Sequence, residues 1–170
     1  MPVDVIKRGQ FTGGVIGLFF GGVWSVLGAQ GLAPTWRLPA EAGGILITIA
    51  LIVRLLSAPV PADVAASFFR CGVYIFWVAL EIVAMNLAMF VLQRFGALDY
   101  LLTAVGVIVG LHFIGMWMAT GMRRFLGIAA AMCLVSALAA LLPAVGGGLH
   151  LRSAATGFAN ALVLWIGASL

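Results

Sequence analysis

Six long apolar segments limit what this chain of 170 residues can fold into. They cover residues 11–32, 42–58, 68–93, 100–121, 125–143 and 154–170. A helix of about 20 mostly apolar residues spans the hydrocarbon core of a bilayer. The sequence is 64% hydrophobic and 8% charged, whereas soluble domains are roughly 45–50% apolar and about 25% charged. The pattern therefore predicts one all-α, polytopic transmembrane domain over residues 1–170, built from six transmembrane helices.

Short segments rich in proline or glycine separate the apolar segments. Residues 33–41, APTWRLPAE, predict an interfacial turn. Residues 57–63, SAPVPAD, break the chain before the third helix, and residues 143–153, PAVGGGLHLRS, predict a flexible link before the sixth. Proline lacks the amide hydrogen that a helix needs, and glycine loosens the backbone, so both residue types end helices.

The basic residues are distributed unevenly between the two ends of the predicted helices. With an even number of spans, both termini lie on one side of the membrane. Six basic residues fall on that side: Lys7, Arg8, Arg54, Arg70, Arg123 and Arg124. Three fall on the other: Arg37, Arg94 and Arg152. The excess predicts cytoplasmic termini, and we interpret the chain as a bacterial inner-membrane protein. Because these residues are scattered, the net charge of +4 does not indicate nucleic-acid binding.

A twelve-residue pattern, G-L-x-F-x-G-x-W-x-x-x-G, occurs twice. The copies begin at Gly17 and Gly110, 93 residues apart, on the first and fourth predicted helices. This spacing predicts a duplication with one three-helix unit over residues 11–95 and a second over 100–170. A unit with an odd number of spans inverts when it is duplicated, so we expect an inverted 3+3 repeat.

The glycine and tryptophan residues of the two copies share one helical face at 100° per residue. We expect these two faces to meet each other, or each to meet an equivalent neighbour, near the centre of the fold. Small residues let helices approach closely in membranes, so a packing role is one interpretation. A groove or broken helix around a ligand is the other. The residues of this motif are Gly13, Gly17, Trp24, Gly28, Gly106, Gly110, Trp117 and Gly121.

Glu81 is an acidic residue in the middle of the apolar run YIFWVALEIVAMNLAMFV. Ionisable groups at this depth are costly and are either paired or functional. Tyr74, Trp77 and Glu81 fall on one face of the third helix, while Asn86 lies on a different face. One interpretation is a protonated carboxyl that bonds across a helix interface; the other is a carboxylate that couples transport to protons or cations. Tyr74 and Asn86 are further candidates for a transport pathway.

His112 stands in the second copy of the repeat where the first has Phe19. It lies nearly opposite the glycine face, so we expect it to face another helix of the second half. It is either a hydrogen-bonded core residue, a proton relay with Glu81 or an axial haem ligand. Its only possible histidine partner for haem is His150, which lies in a predicted loop. We therefore expect no haem, no other cofactor and no metal site. Cys71 and Cys133 lack metal-ligand spacing and are interpreted as small apolar residues.

The segments GGVIGLFFGGVWSVLG and GLHFIGMWMATGMRRFLGI resemble parts of small six-helix bacterial membrane proteins. The shared features are a G-x-x-W first helix and a G-x-H-F fourth helix. These proteins have no established activity, so the resemblance implies the fold and no functional residue.

These features predict a small membrane transporter or channel-like protein whose pathway lies between the two halves. An alternative is a non-catalytic scaffold or subunit that binds partner helices or lipids, and a weaker one is an intramembrane cofactor-binding protein. No nucleophile elbow, phosphate-binding loop or paired catalytic carboxylates occur, which disfavours an enzyme. The expected partners are the lipid bilayer, a second copy or another membrane protein, and an unidentified small solute or ion.

Overall fold

The computed structural model describes residues 3–57 and 70–169 of the chain. These residues form six α-helices and two short 3-10 turns, and no strand occurs among them. The helices are α1 (Val3–Ala29), α2 (Pro34–Ser57), α3 (Cys71–Arg94), α4 (Leu101–Thr120), α5 (Arg124–Leu141) and α6 (Leu149–Ser169). The 3-10 turns are Leu98–Tyr100, before α4, and Leu142–Val145, after α5. The predicted all-α class and the count of six helices are confirmed.

Within residues 3–57 and 70–169, four helical segments are long and apolar enough to cross a membrane: Pro34–Ser57, Cys71–Arg94, Leu98–Thr120 and Arg124–Val145. The apolar part of α1, Gly13–Ala29, is shorter. Helix α6 is not among these segments, since Arg152, Thr156 and Asn160 lower its hydropathy. All three side chains are buried against neighbouring helices, so α6 carries polar groups without presenting them to lipid. Helices of this length and composition are those of a membrane-embedded protein.

Three helix starts differ from the sequence prediction by five or more residues. Helix α1 begins at Val3 rather than at residue 11. The predicted interfacial turn at residues 33–41 is wrong, because α2 begins at Pro34. Proline fits the first helical position, where its missing amide hydrogen has no intrahelical partner anyway. Helix α6 begins at Leu149 rather than at residue 154, directly after the glycine run that contains Gly146 in the left-handed region at φ 88°. Most of the segment SAPVPAD lies outside the described residues.

The helices follow the spatial order α2, α1, α6, α5, α4, α3, and α4 also touches α6. Helices α1 and α6 run antiparallel, because Gly17 lies near Ala168 and Gly28 near Gly157. Helices α4 and α6 run parallel, because Thr103 contacts Thr156 while Gly106 lies near Asn160. It follows that α1 and α4 run in opposite directions.

The apolar core lies where α1, α5 and α6 meet. Its buried residues are Trp24, Ile128, Met132, Ala161 and Leu164. Helix α3, in contrast, has no buried residue and packs against α4 and the adjoining 3-10 turn. The third helix is therefore peripheral, and it is connected to the bundle mainly through α4.

The glycine faces of α1 and α4 pack against different helices rather than against each other. A Cβ atom on Gly28 would lie 2.9 Å from the backbone nitrogen of Phe158 in α6. A Cβ atom on Gly110 would lie 2.7 Å from Cys133 Sγ in α5. The predicted meeting of the two faces with each other is wrong. The alternative of equivalent neighbours is wrong as well, because α6 and α5 are the third and second helices of the same predicted unit. Small residues on these helices, including Gly157, accept the close approach instead.

Three residues of the glycine motif do not lie in these contacts. No atom of the described part of the chain lies within 4 Å of a Cβ placed on Gly13 or on Gly121. Gly121 ends α4 in the left-handed conformation at φ 74°, which is a helix-capping role. Trp117 is exposed, whereas its counterpart Trp24 is buried in the core. The two copies of the motif therefore have different surroundings.

Candidate functional site

Three residues on one face of α3 position the site against α4. Tyr74, Trp77 and Glu81 are spaced by three and four residues, so they face the same neighbour. Gly115 of α4 is buried beneath Trp77, where a Cβ atom would lie 2.6 Å from the tryptophan Cβ. The backbone N–H of Arg70 donates to the carbonyl oxygen of Ala119 at 2.9 Å, which fixes the N-terminal end of the contact.

The central feature of this interface is a pair formed by Glu81 and His112. Oε2 of Glu81 lies 3.1 Å from Nδ1 of His112, and their side chains are 19% and 13% exposed. The two atoms are in close contact without the angle of a directed hydrogen bond. Both residues lie near the middle of their helices. The carboxyl and imidazole groups together can hold one proton with no net charge, as an ion pair or as two neutral groups.

Aromatic rings surround the imidazole of His112. The ring of Tyr74 meets it edge-on with centroids 6.3 Å apart, and the ring of Phe113 does so at 6.2 Å. Edge-to-face contacts at these distances are favourable. They hold the imidazole in the interface, so its approach to Glu81 is supported from both helices.

A small cavity lies beside the pair. Its volume is about 220 Å³. Its lining consists of Trp77, Leu80, Glu81, Ala84, Ile108, Leu111 and His112. Leu80 and Leu111 are also exposed on the outer surface, so the cavity is bordered by residues that face lipid in a bilayer. Glu81 and His112 contribute to this lining through their apolar atoms, so the surface of the cavity is apolar.

The surroundings of His112 differ from the prediction, whereas Asn86 lies on a different face of α3 from Glu81, as predicted. His112 faces α3 of the first half, not another helix of the second, because the glycine face of α4 is occupied by α5 and leaves the opposite face to α3. Asn86 is exposed, and its Nδ2 donates to the carbonyl oxygen of Ile82 in its own helix at 2.7 Å. It therefore lies apart from Glu81 and His112.

A second group of buried polar side chains lies between α4, α5 and α6. The Nδ2 of Asn160 donates to Ser136 Oγ at 3.0 Å, and the hydroxyl groups of Thr103 and Thr156 lie 3.4 Å apart. Asn160 thus makes the bond between helices that its sequence position favours. Its Oδ1 has no hydrogen-bond partner among the described residues.

Arg152 is the largest fully buried side chain and was not recognised as such from the sequence. It is 1% exposed, its Cζ lies 3.9 Å above the ring of Tyr100, and its Nη2 donates to the carbonyl oxygen of Asp99. Nε and Nη1 have no partner within the described ranges. Sequence reasoning placed Arg152 in a loop because it began the helix at residue 154. The spacing of four between Arg152, Thr156 and Asn160 is the signal that predicts one polar helical face.

We predict that Arg152→Met retains or raises the stability of the protein, while Arg152→Ala lowers it. Methionine fills similar space without burying a charge whose donors are unpartnered, and such replacements are often neutral or stabilising. Alanine leaves a cavity that costs about 2–5 kcal/mol. Thermal unfolding in detergent measures the difference. Equal destabilisation by both changes would contradict this account and show that the guanidinium itself is required.

The structure offers few groups for a metal or haem. No cluster of three or more His, Cys, Asp or Glu side chains occurs in the part of the chain that is described. His150 is exposed in the first turn of α6, whereas His112 is partly buried midway along α4. Cys71 is exposed and Cys133 lies between α4 and α5, with its Sγ 3.6 Å from the carbonyl oxygen of Val107.

Comparisons of the chain with protein-family models, with curated proteins and with solved structures found no match. The resemblance noted from the sequence gains no support from them. The geometry of the α3–α4 interface is therefore the basis for assigning a function.

Proposed function

We propose that this protein is a small membrane transporter or channel-like protein whose pathway includes the α3–α4 interface. The observation that carries the proposal is the 3.1 Å approach of Glu81 to His112 near the middle of two apolar helices. An ionisable pair at this depth is costly to keep and is typical of proton relays and ion pathways. The pair is the group that would bind and release a proton or a cation.

The chemistry of the pair favours a role in binding and releasing protons over a purely structural role. With one proton the two groups have no net charge, so the state is compatible with an apolar setting. Adding or removing a proton leaves one net charge at membrane depth, which costs free energy unless a second ion or water arrives. A proton can therefore leave most easily when another cation takes its place or when the site opens to water.

The arrangement of the helices supports a mobile α3 in this proposal. We propose an inverted repeat over residues 11–95 and 100–170, with which the opposite directions of α1 and α4 are compatible. The packing of the halves differs, however: α5 contacts α6, while α2 and α3 make no comparable contact within the described residues. Since α3 is connected mainly through α4, sliding of α3 along α4 would open and close the pair. In this proposal both termini lie in the cytoplasm of a bacterial cell.

We expect Glu81→Gln to reduce proton flux at least tenfold in reconstituted vesicles. Glutamine keeps the size of the side chain but cannot release a proton, so the exchange step is lost. The measurement uses vesicles that enclose a pH-sensitive dye and are exposed to a pH step, with empty vesicles as the blank.

Asn86→Leu is the matched control for this experiment. It changes a polar residue on another face of the same helix that bonds to its own backbone, so flux should match the wild type. Normal flux in Glu81→Gln, or no flux above empty vesicles in the wild type, would refute the proposed pathway. Size-exclusion profiles establish that each variant is folded.

A second candidate function, a membrane subunit that binds a partner helix, is favoured by the exposure of α3. Large apolar side chains such as Phe76, Val83 and Phe90 are exposed along it. This candidate predicts no proton flux and a stable complex that purifies with the protein from its native membrane. Exchanging Phe76 and Phe90 for alanine would then release the partner while leaving the isolated chain folded.

A further inference from the structure

We infer that Arg152 of α6 is a positioning residue that anchors the C-terminal end of α3 and limits its movement along α4. This inference rests on the proposed function and specifies how the Glu81–His112 pair of that pathway is held in place. It depends on three observations: the burial of Arg152, the groups that its guanidinium contacts, and the hydrogen-bonded connection between those groups and α3.

The guanidinium of Arg152 contacts a connection between helices. Its Nη2 donates to the carbonyl oxygen of Asp99, and its Cζ lies 3.9 Å above the ring of Tyr100. Both residues belong to the 3-10 turn that joins α3 to α4. A guanidinium over an aromatic face and a hydrogen bond from a charged donor are each favourable. Arg152 therefore ties this turn to α6 at two points.

Burial of the Arg152 charge is costly for stability alone. The side chain is 1% exposed, and its Nε and Nη1 have no partner in the described part of the chain. A buried charge with unpartnered donors is less stable than a well-packed apolar side chain of similar size. A buried ionic group of this kind can instead specify one arrangement of the elements around it. The contacts of Arg152 indicate that this arrangement is the position of the turn.

Helix α4 has other contacts with α6 at this end of the bundle. The hydroxyl groups of Thr103 and Thr156 lie 3.4 Å apart, and a Cβ atom on Gly106 would lie 2.8 Å from Asn160 Nδ2. These contacts lie about one and two helical turns further into the bundle than the 3-10 turn, and they do not involve the guanidinium. Loss of the Arg152 contacts would therefore free the turn while α4 stays in place.

The 3-10 turn is joined to α3 by a short, hydrogen-bonded segment. The N–H of Ala97 donates to the carbonyl oxygen of Leu92 at 2.8 Å. The N–H of Gly96 donates to that of Gln93 at 3.2 Å, and Gly96 is in the left-handed region at φ 65°. These bonds form a Schellman motif, which fixes the chain direction at the end of a helix. The N–H of Tyr100 then donates to Ala97 at 2.9 Å, so a displacement of the turn passes to α3.

Displacement of α3 at this end changes the geometry of the distant pair. Helix α3 has no buried residue and packs mainly against α4, so few other contacts oppose the movement. Glu81 lies about 13 residues before Arg94, the last residue of α3, which is roughly 20 Å along the helix. A tilt of about 5° at the turn would then move Glu81 by about 2 Å relative to His112. Misplacement of reacting groups by about 1 Å can cost two orders of magnitude in rate.

Distances between spin labels test the inference in phosphatidylcholine nanodiscs. The exposed residues Met89 of α3 and Leu138 of α5 carry the labels, in a protein whose own cysteine residues are replaced by alanine. The wild type should give one narrow distance distribution. Arg152→Met and Tyr100→Leu should each broaden it at least twofold, because each removes one side of the anchor.

Three controls separate loss of the anchor from general loosening of the bundle. Tyr100→Phe keeps the aromatic face, and Asp99→Asn keeps the backbone carbonyl that accepts from Arg152, so both should match the wild type. A second pair of labels, at the exposed residues Leu134 of α5 and Leu162 of α6, should keep one narrow distribution in every variant.

Proton flux in vesicles separates the inference from the proposed function. Arg152→Met should reduce flux about threefold or more while its unfolding temperature stays at or above that of the wild type. A narrow α3–α5 distribution in both Arg152→Met and Tyr100→Leu, or broadening for both pairs of labels, would overturn the inference. Unchanged flux in Arg152→Met would also overturn it if Glu81→Gln abolishes flux, and would leave the proposed pathway standing. Broadening between α3 and α5 alone, with no flux in the wild type, would support the anchor and refute transport.

Discussion

Gly157→Leu is expected to prevent the protein from folding into a stable bundle. Gly157 lies where α6 crosses α1, directly against the backbone of Gly28, and its Cβ would lie 2.7 Å from the carbonyl oxygen of Trp24. Backbone atoms cannot turn aside as a flexible side chain can, so the two helices would have to separate. This contact joins α6 to the core that also contains Trp24 and Ala161. Lipid supplies no hydrophobic force to restore a lost contact between helices.

The expected decrease in the free energy of unfolding exceeds about 4–5 kcal/mol. A decrease of this size is exceptional for one substitution and is comparable with the whole stability of many domains. Unfolding in detergent and the size-exclusion profile measure it. Gly127→Leu in α5 is the matched control, because no described atom lies within 4 Å of a Cβ at that position and leucine has a higher helix propensity than glycine. A folded Gly157→Leu protein with wild-type stability would show that α1 and α6 do not cross at these residues.

The helical class follows from the sequence because runs of apolar residues predict it. These runs predicted six helices, and the described residues form six. The starts of α2 and α6 were less predictable. Pro34 was interpreted as a helix breaker, although proline also fits the first turn of a helix. Residues 143–153 predicted a long flexible link. In the structure, only the glycine residues 146–148 lie between the 3-10 turn and the start of α6 at Leu149.

The partners of each helix were harder to predict than the helices themselves. A glycine face predicts a close neighbour but does not specify which one, so the contacts of α1 with α6 and of α4 with α5 needed three-dimensional information. Phe19 and His112 illustrate the point. They occupy equivalent positions of the repeat, yet Phe19 is exposed beside α2 while His112 lies against Glu81. Similar sequences in the two halves do not have similar surroundings.

The candidate site was only partly visible in the sequence. A lone carboxylate in an apolar helix identified Glu81, and the face shared with Tyr74 and Trp77 predicted one common neighbour. That this neighbour is α4, and that it brings His112 to 3.1 Å, depends on long-range packing. Arg152 was missed for another reason: a shift of five residues in one helix boundary placed a buried residue in a loop.

Gly115→Ala is expected to reduce proton flux about tenfold or more. The added methyl group would contact Trp77 and neither member of the Glu81–His112 pair. The added Cβ would lie 2.6 Å from the Cβ of Trp77, an atom fixed to the backbone of α3. The peripheral α3 must therefore move away from α4, which lengthens the distance between Glu81 and His112. Misplacement of reacting groups by about 1 Å can cost two orders of magnitude in rate.

The double variant Gly115→Ala with Trp77→Gly separates this mechanism from general damage. Removing the whole side chain, including its Cβ, frees space for the new methyl group, so α3 can return and flux should recover relative to Gly115→Ala alone. Such recovery shows that the effects of the two substitutions are not additive, as expected for residues in contact. Substitutions that act independently have additive effects. Gly72→Ala, also in α3 but with no atom of the described residues within 4 Å of its Cβ, should leave flux unchanged. Infrared spectra, with Glu81→Gln as the blank, report the state of the carboxyl group directly. Its band should shift in Gly115→Ala and return in the double variant. A flux loss with an unshifted band would mean that α3 also gates the pathway at a point other than this pair.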